Sequence, residues 1–264
     1  MSTVTVFLDG LSVLGPGMPD WSAAQPCLLG QQAHVVAEVV LPPAQALPAT
    51  ERRRVGAAVK LSMAVGMAAV ADAAADAAQL PNIFSSTGGD CENCHSLLEV
   101  LASDERLISP TRFHNSVHNA PAGYWGIATG CTAASTSLCA YDATFAAGLL
   151  ECATQALCSP QPCLLVSFDT AYPEPLYAQR PIPYPMGVGM VISAQASAAS
   201  KARLQLSLSQ EPATTMQDAG LEQLRLSIPS ARSLPLLQLL ASGQPGRVVI
   251  DYLDDCRLAI EVAA

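Results

Sequence analysis

The sequence predicts an α/β fold, and three observations carry that reading. Short apolar or alternating segments rich in β-branched residues recur along the chain and are separated by Ala- and Leu-rich helical stretches. Half of the 264 residues are hydrophobic and only 13% are charged, which demands a large buried core. The stretch from residue 135 to residue 168 reads as one strand-helix-strand unit.

Val4 to Leu8 alternates and is β-branched, so it opens the chain as a strand, and Gly15, Pro16 and Gly17 turn it. Trp21 to Gly30 follows as a short helix. After the Pro42-Pro43 and Pro48 connector, Thr50 is an N-cap for a long Ala-rich helix reaching about Gln79, and Leu80 to Ser86 is a strand. Asp90 caps a helix from Glu92 to Ser103 whose buried side is Leu97, Leu98, Val100 and Leu101. His114 to Trp125 is partly helical, with Pro121 starting a new turn. Ser135 to Ala140 is a strand, Asp142 caps the helix Ala143 to Leu157, and Pro162 to Phe168 is a strand apolar enough to be buried on both faces. A proline-rich loop from Pro173 to Pro185 precedes strands at Val188 to Ala194 and Arg203 to Leu208. A helix at Leu234 to Ala241 and strands at Val248 to Tyr252 and Arg257 to Val262 complete the order. No internal repeat is present.

Composition excludes several classes of function. A net charge of −9, with Arg52-Arg53-Arg54 as the one basic run, is unsuited to neutralising phosphates, so no nucleic-acid partner is expected. The start, Met1-Ser2-Thr3-Val4, lacks a basic and then apolar leader, which predicts a cytoplasmic protein. Nine cysteines, an odd number scattered through apolar segments, then read as buried thiols rather than a disulfide framework. Lys60, Asp72 and Asp76 interrupt the longest apolar stretch, Val55 to Ala78, so it reads as a buried helix and no membrane span is expected.

Generic catalytic motifs lead nowhere. Cys91-Glu92-Asn93-Cys94-His95 has the CxxCH form of haem attachment, but that chemistry belongs to exported proteins. No second ligand pair stands at zinc spacing, although His114 and His118 lie four apart, so no metal is expected. Gly187-Val188-Gly189 lacks the third glycine and the acidic residue of a dinucleotide loop, and no G-x-S-x-G elbow exists. No cofactor is expected.

A resemblance emerges from longer segments. Ser109-Pro110-Thr111-Arg112-Phe113-His114-Asn115-Ser116-Val117-His118-Asn119-Ala120-Pro121-Ala122-Gly123-Tyr124-Trp125 is similar to the segment preceding the active-site strand of β-ketoacyl synthases. Leu47 to Arg54, Phe84 to Asp90 and Phe145 to Glu151 agree in the family's order. The chain most resembles the short β-ketoacyl-synthase-like proteins of aryl polyene and xanthomonadin-type clusters. That resemblance implies a thiolase-like fold, the amino-terminal half of a ketosynthase, spanning 1–264 as a single domain, with 203–264 as a much reduced second half.

In such folds the nucleophilic cysteine sits where a central strand meets a buried helix, where the helix dipole favours a thiolate. The matching junction runs from Ser135 to Ala143, and by spacing from Ala122-Gly123 the family's cysteine falls on Tyr141. A phenol ionises too little at neutral pH to replace a thiolate, so Tyr141 is expected to fill or gate an acyl tunnel. Cys139, two residues earlier, is the fallback nucleophile and is otherwise a structural thiol. The family also needs two histidines from its second half for decarboxylation and oxyanion stabilisation, and no histidine follows His118. Together these imply a non-catalytic, chain-length-factor-like subunit. Phe113, His114, His118, Tyr124, Trp125, Cys139, Tyr141 and Phe145 are its expected acyl-tunnel or interface residues. The expected partner is a complete β-ketoacyl synthase, or a second copy, with an acyl carrier protein engaged through that partner because this acidic chain is a poor dock for an acidic carrier. Two alternatives stand beside it: a self-sufficient acyltransferase or condensing enzyme using Cys139, and a homodimeric binding protein for acyl intermediates.

Overall fold

The computed structural model describes residues 3–263; Met1, Ser2 and Ala264, at the ends of the expected 1–264 domain, lie outside the described residues. The elements run β1 (Val4–Leu14), α1 (Trp21–Leu28), α2 (Ala49–Arg52), α3 (Ala57–Asp72), β2 (Asn82–Ser85), α4 (Cys91–Ala102), α5 (Pro110–His114), α6 (Ala120–Thr129) and β3 (Ser135–Leu138). A 3-10 turn (Tyr141–Ala143) leads into α7 (Thr144–Cys158). Then come β4 (Cys163–Asp169), α8 (Leu176–Gln179), β5 (Met186–Ser193), β6 (Ala202–Ser209), α9 (Ala219–Ser227), a second 3-10 turn (Pro229–Ser233), α10 (Leu234–Ser242), β7 (Gly246–Leu253) and β8 (Cys256–Ala263).

All eight strands form one sheet in the order β3-β2-β4-β5-β1-β6-β8-β7. β3, β2 and β4 are mutually parallel, an arrangement that needs the helical crossovers α4 to α6 and α7 between them. Every other pairing is antiparallel. The segment 202–263 therefore adds β6, β8 and β7 to the same sheet, through β1. β1 can serve both sides because it is eleven residues long: its second half pairs with β5 and its first half with β6.

β4 and β5 are buried along their full length, which explains why Cys163-Leu164-Leu165-Val166 and Met186 to Ile192 lack alternation. One face of the sheet packs on α7, α10 and α1 through residues such as Leu8, Phe145, Leu149, Leu204 and Leu236. The other packs on α3 and α6 through Leu61, Val65, Phe84, Trp125 and Val166. α3 lies unusually close to the sheet, because a Cβ on Gly10 or Gly189 would stand 2.2 Å from Ala69 O or 2.4 Å from Val65 O.

Several expectations need correction. The long helix to Gln79 is two helices: the chain breaks across 53–56, with Gly56 extended, and α3 stops at Asp72. Asp72 is its last residue, and just beyond it Ala74 turns the chain at φ +50°; the Asp72 carboxylate accepts from the Leu11 N–H (2.8 Å) and pairs with Lys201 (3.2 Å). Asp90 does cap α4, accepting from Asn93 N–H at 3.0 Å, but only Leu97 of the four expected apolar residues is buried, and Leu98 and Leu101 face out. The thiols are not uniformly buried: Cys27, Cys152 and Cys163 are, whereas Cys139 and Cys158 are exposed. α9 sits where only loop was expected, capped by Asp218 and anchored by Leu221 and Leu224. No helix among the described residues is long and apolar enough to cross a membrane.

Candidate functional site

The junction between β3 and α7 is built by an abrupt change of backbone conformation. The parallel ladder ends where Ser86 N–H donates to Leu138 O at 3.2 Å. Cys139 has therefore already left the strand, which ends at Leu138 rather than Ala140. Ala140 follows at φ −140°, ψ 38°, and Tyr141 turns the chain with φ +52°, in the left-handed region. For a residue other than glycine that conformation costs about 1–3 kcal/mol and persists only where its surroundings enforce it. Here Thr144 enforces it: its buried hydroxyl donates to Tyr141 O at 2.5 Å and accepts from Ala140 N–H at 3.2 Å.

Tyr141 thus stands at the first residue of the helical segment and is 63% exposed as a residue. One ring face is covered by Arg180, whose guanidinium carbon lies 3.6 Å from the centroid, a close cation-π contact. Arg180 also donates to Thr87 Oγ1 (3.1 Å) and to the carboxylate of Asp142. Asp142 was expected to cap α7 and does not, because that carboxylate is turned to Arg180 and, at 3.7 Å, to Arg232. From there the charges alternate. Arg232 and Arg225 share Asp251 Oδ2 (2.6 and 2.7 Å), and Arg225 grips Glu222 with two bonds of 2.7 Å. Three arginines and three carboxylates so tie β7, α9 and the second 3-10 turn to the junction.

Beneath it, the loop from Ser86 to Asp90 is held from three sides. Asp169, buried at the end of β4, accepts from Thr87 N–H (2.9 Å) and Ser230 N–H (2.7 Å). Burial pushes its carboxyl up to about 6, although those two donors and Arg180 pull the other way. His118 Nε2 meets Ser86 O at 2.9 Å, and Cys139 donates its thiol to Thr87 O at 3.1 Å. Nearby, burial raises the Cys91 thiol to about 11 and pushes Tyr172 upward as well, so both stay protonated.

The structure does not gather the eight candidate residues into one cavity. Tyr141 lines a groove of about 540 Å³ with Arg180, Glu222 and Leu226. Phe113, His114 and Tyr124 line another, of about 560 Å³, with Val117 and Ile127. There Tyr124 donates to Asn115 Oδ1 (2.9 Å), and the His114 ring meets it edge-on. Cys139 and His118 line neither. Trp125 and Phe145 are core residues: Trp125 packs on Phe84 with centroids 6.1 Å apart, and Phe145, in the first turn of α7, is fully buried. Among the described residues no three His, Cys, Asp or Glu side chains come together as a metal site; His95 instead pairs with Glu99 at 3.3 Å.

Sequence reasoning missed Arg180, Arg232 and Asp169. Arg180 lies in the proline-rich loop, 39 positions from Tyr141, and carried no local periodicity. Asp169 had a usable signal, a carboxylate closing the wholly apolar run of β4.

Chemically, the junction presents a phenol on a cationic shelf, neutralised by a carboxylate, where a thiolate would need a free helix terminus.

Comparison with known proteins identifies the family and the fold. The family model of the β-ketoacyl synthase N-terminal domain matches residues 21–246, and the chain belongs to that family. No curated protein matches. Among solved structures the chain is similar to the complex of the ketosynthase ApeO with its chain length factor ApeC from Xenorhabdus doucetiae. That match has 22% identity and a TM-score of 0.73, over 98% of this chain and 99% of the other. It is also similar to the ishigamide ketosynthase/chain length factor (14% identity, TM-score 0.70, 98% and 99% covered). A β-ketoacyl synthase from Burkholderia phymatum follows at 8% identity and TM-score 0.67, again with 98% and 99% covered. At these identities the likeness is one of fold, the thiolase-like fold of ketosynthases.

Proposed function

We propose that this chain is a non-catalytic, chain-length-factor-like subunit that pairs with a complete β-ketoacyl synthase in a polyketide or fatty-acid type condensing enzyme making aryl polyene lipids. The observation that carries the reading is Tyr141 at the strained strand-to-helix turn, locked under Arg180. A fixed aromatic ring at that point limits space and supplies no thiolate. The lack of any histidine after His118 supports it from the sequence side.

The pairing surface in this reading is the open edge of β3. Ala134 O and Leu138 O turn toward β2, so Ser135 and Ser137 direct their backbone groups outward. α6 packs beside β3 and exposes Ile127, while Phe113 and Val117 stand exposed on the neighbouring segment. Edge pairing flanked by apolar contacts is a common mode of strand addition. The acyl carrier protein docks on the partner, since this chain carries net charge −9.

Co-expression with a ketosynthase encoded nearby tests the proposal: the two should co-purify, and deletion of this gene should change polyene length or yield. Failure to associate, together with an unchanged product, contradicts it.

A further inference from the structure

A second site lies away from the junction, along the edge of β1 from Leu11 to Leu14, which pairs with β5 but not with β6, between α3 on one side and the start of α1 on the other. An apolar trough of about 920 Å³ runs between β1, α3 and the extended segment 35–42. It adjoins a pocket of about 300 Å³ through Pro42 and Ala64, and one of about 290 Å³ through Leu11 and Trp21. Its floor is made of Leu14, Met18 and Val65, all buried, while the strap above leaves Val35 and Val40 70% and 78% exposed. That is the volume and lining of a small-molecule site rather than of a packing flaw.

The charges at its two ends differ. The chain has only two lysines, and each lines one of the adjoining pockets: Lys60 at one end of α3 and Lys201 beyond the other. Lys201 is paired with Asp72 at 3.2 Å. Lys60 is half-buried and forms no ion pair among the described residues, beside the flexible Met63 and Met67. The trough's own lining carries Asp20, Glu38 and Asp72, which repel an anion and leave the Lys60 pocket as the place for one; Asp72 is held by Leu11 and Lys201, and Asp20 caps α1. Lys60 to Asp72 spans about 18 Å of helix, room for an extended alkyl chain.

We propose that this trough binds a single long-chain carboxylate, with its headgroup on Lys60 and its chain along α3 beneath the 35–42 strap toward Trp21. This site is independent of the pairing role proposed for the β3 edge.

Titration of the full chain with cis-parinaric acid, a fluorescent long-chain carboxylate, tests the proposal. Saturable binding is expected, weakened about tenfold by Lys60→Met, which removes the headgroup charge, and about a hundredfold by Ala64→Phe, which fills the trough. Both variants should keep the wild-type melting temperature, and Lys201→Met should bind as tightly as wild type. No saturable binding, equal binding by Lys60→Met and Ala64→Phe, a larger loss in Lys201→Met, or uptake only in the presence of lipid vesicles would each overturn the proposal.

Discussion

The two edges of the sheet are treated very differently. At one edge, β7 is closed off: Thr214 N–H donates to Val249 O (2.7 Å), Val249 N–H donates back to Thr214 Oγ1 (3.0 Å), and Arg247 pairs with Glu211. At the other, β3 is Ser-Thr-Ser-Leu, without a charge, a proline or a covering loop, and α6 beside it exposes Ile127. Isolated chains guard edge strands because an open ladder recruits another strand. An edge left bare opposite a guarded one is what the proposed pairing with a ketosynthase requires.

The sharpest way to break that contrast is Ser137→Pro. It deletes an outward donor while leaving the β2 ladder, which uses Ala134 and Leu138, in place. Association with the ketosynthase should weaken by about a hundredfold in a titration followed by light scattering, with little change in the thermal midpoint.

Asp169 secures the β3 side from below, and Asp169→Asn should cost about 1–2 kcal/mol in denaturant midpoint at neutral pH. One of its two N–H partners loses its acceptor and faces an amide donor. The wild type should also show a pH signature. With the folded carboxyl raised to about 6 from an ordinary 3.8, its stabilising share is complete below about pH 4 and is lost as pH rises through about 6. The Asn variant should lack that slope.

On the guarded edge, Thr214→Val should cost about 1 kcal/mol by orphaning Val249 N–H, and should introduce self-association visible by sedimentation. The smallest effect is expected of Arg247→Ala, whose exposed ion pair should leave the melting temperature where it was.

The sequence was most legible where a single segment decides its own structure. β4, β6, β8, α4 and α7 announce themselves through apolar runs, alternation or an N-cap, and the family resemblance, counted from Ala122-Gly123, put Tyr141 at the junction. It was least legible where distant groups decide. The Asp72 carboxylate at the end of α3 is held by Leu11, 61 positions away, and Asp142 abandons its cap for Arg180 and Arg232. α9 was readable in principle, from Asp218 followed by Leu221 and Leu224, but its weak apolar content hid it. For the site residues the same rule holds: Phe113, His114 and Tyr124 are sequence neighbours and share a groove, whereas Trp125 and Phe145 are apolar aromatics that the core claims first.

The central claim is that this chain shapes a reaction carried out on a partner's cysteine. Intact-mass analysis of the co-purified complex after loading with an acyl thioester tests it most directly. The account predicts an acyl adduct on the ketosynthase and none on this chain, in the wild type and in Cys139→Ser alike. An adduct on this chain that disappears in Cys139→Ser would contradict it.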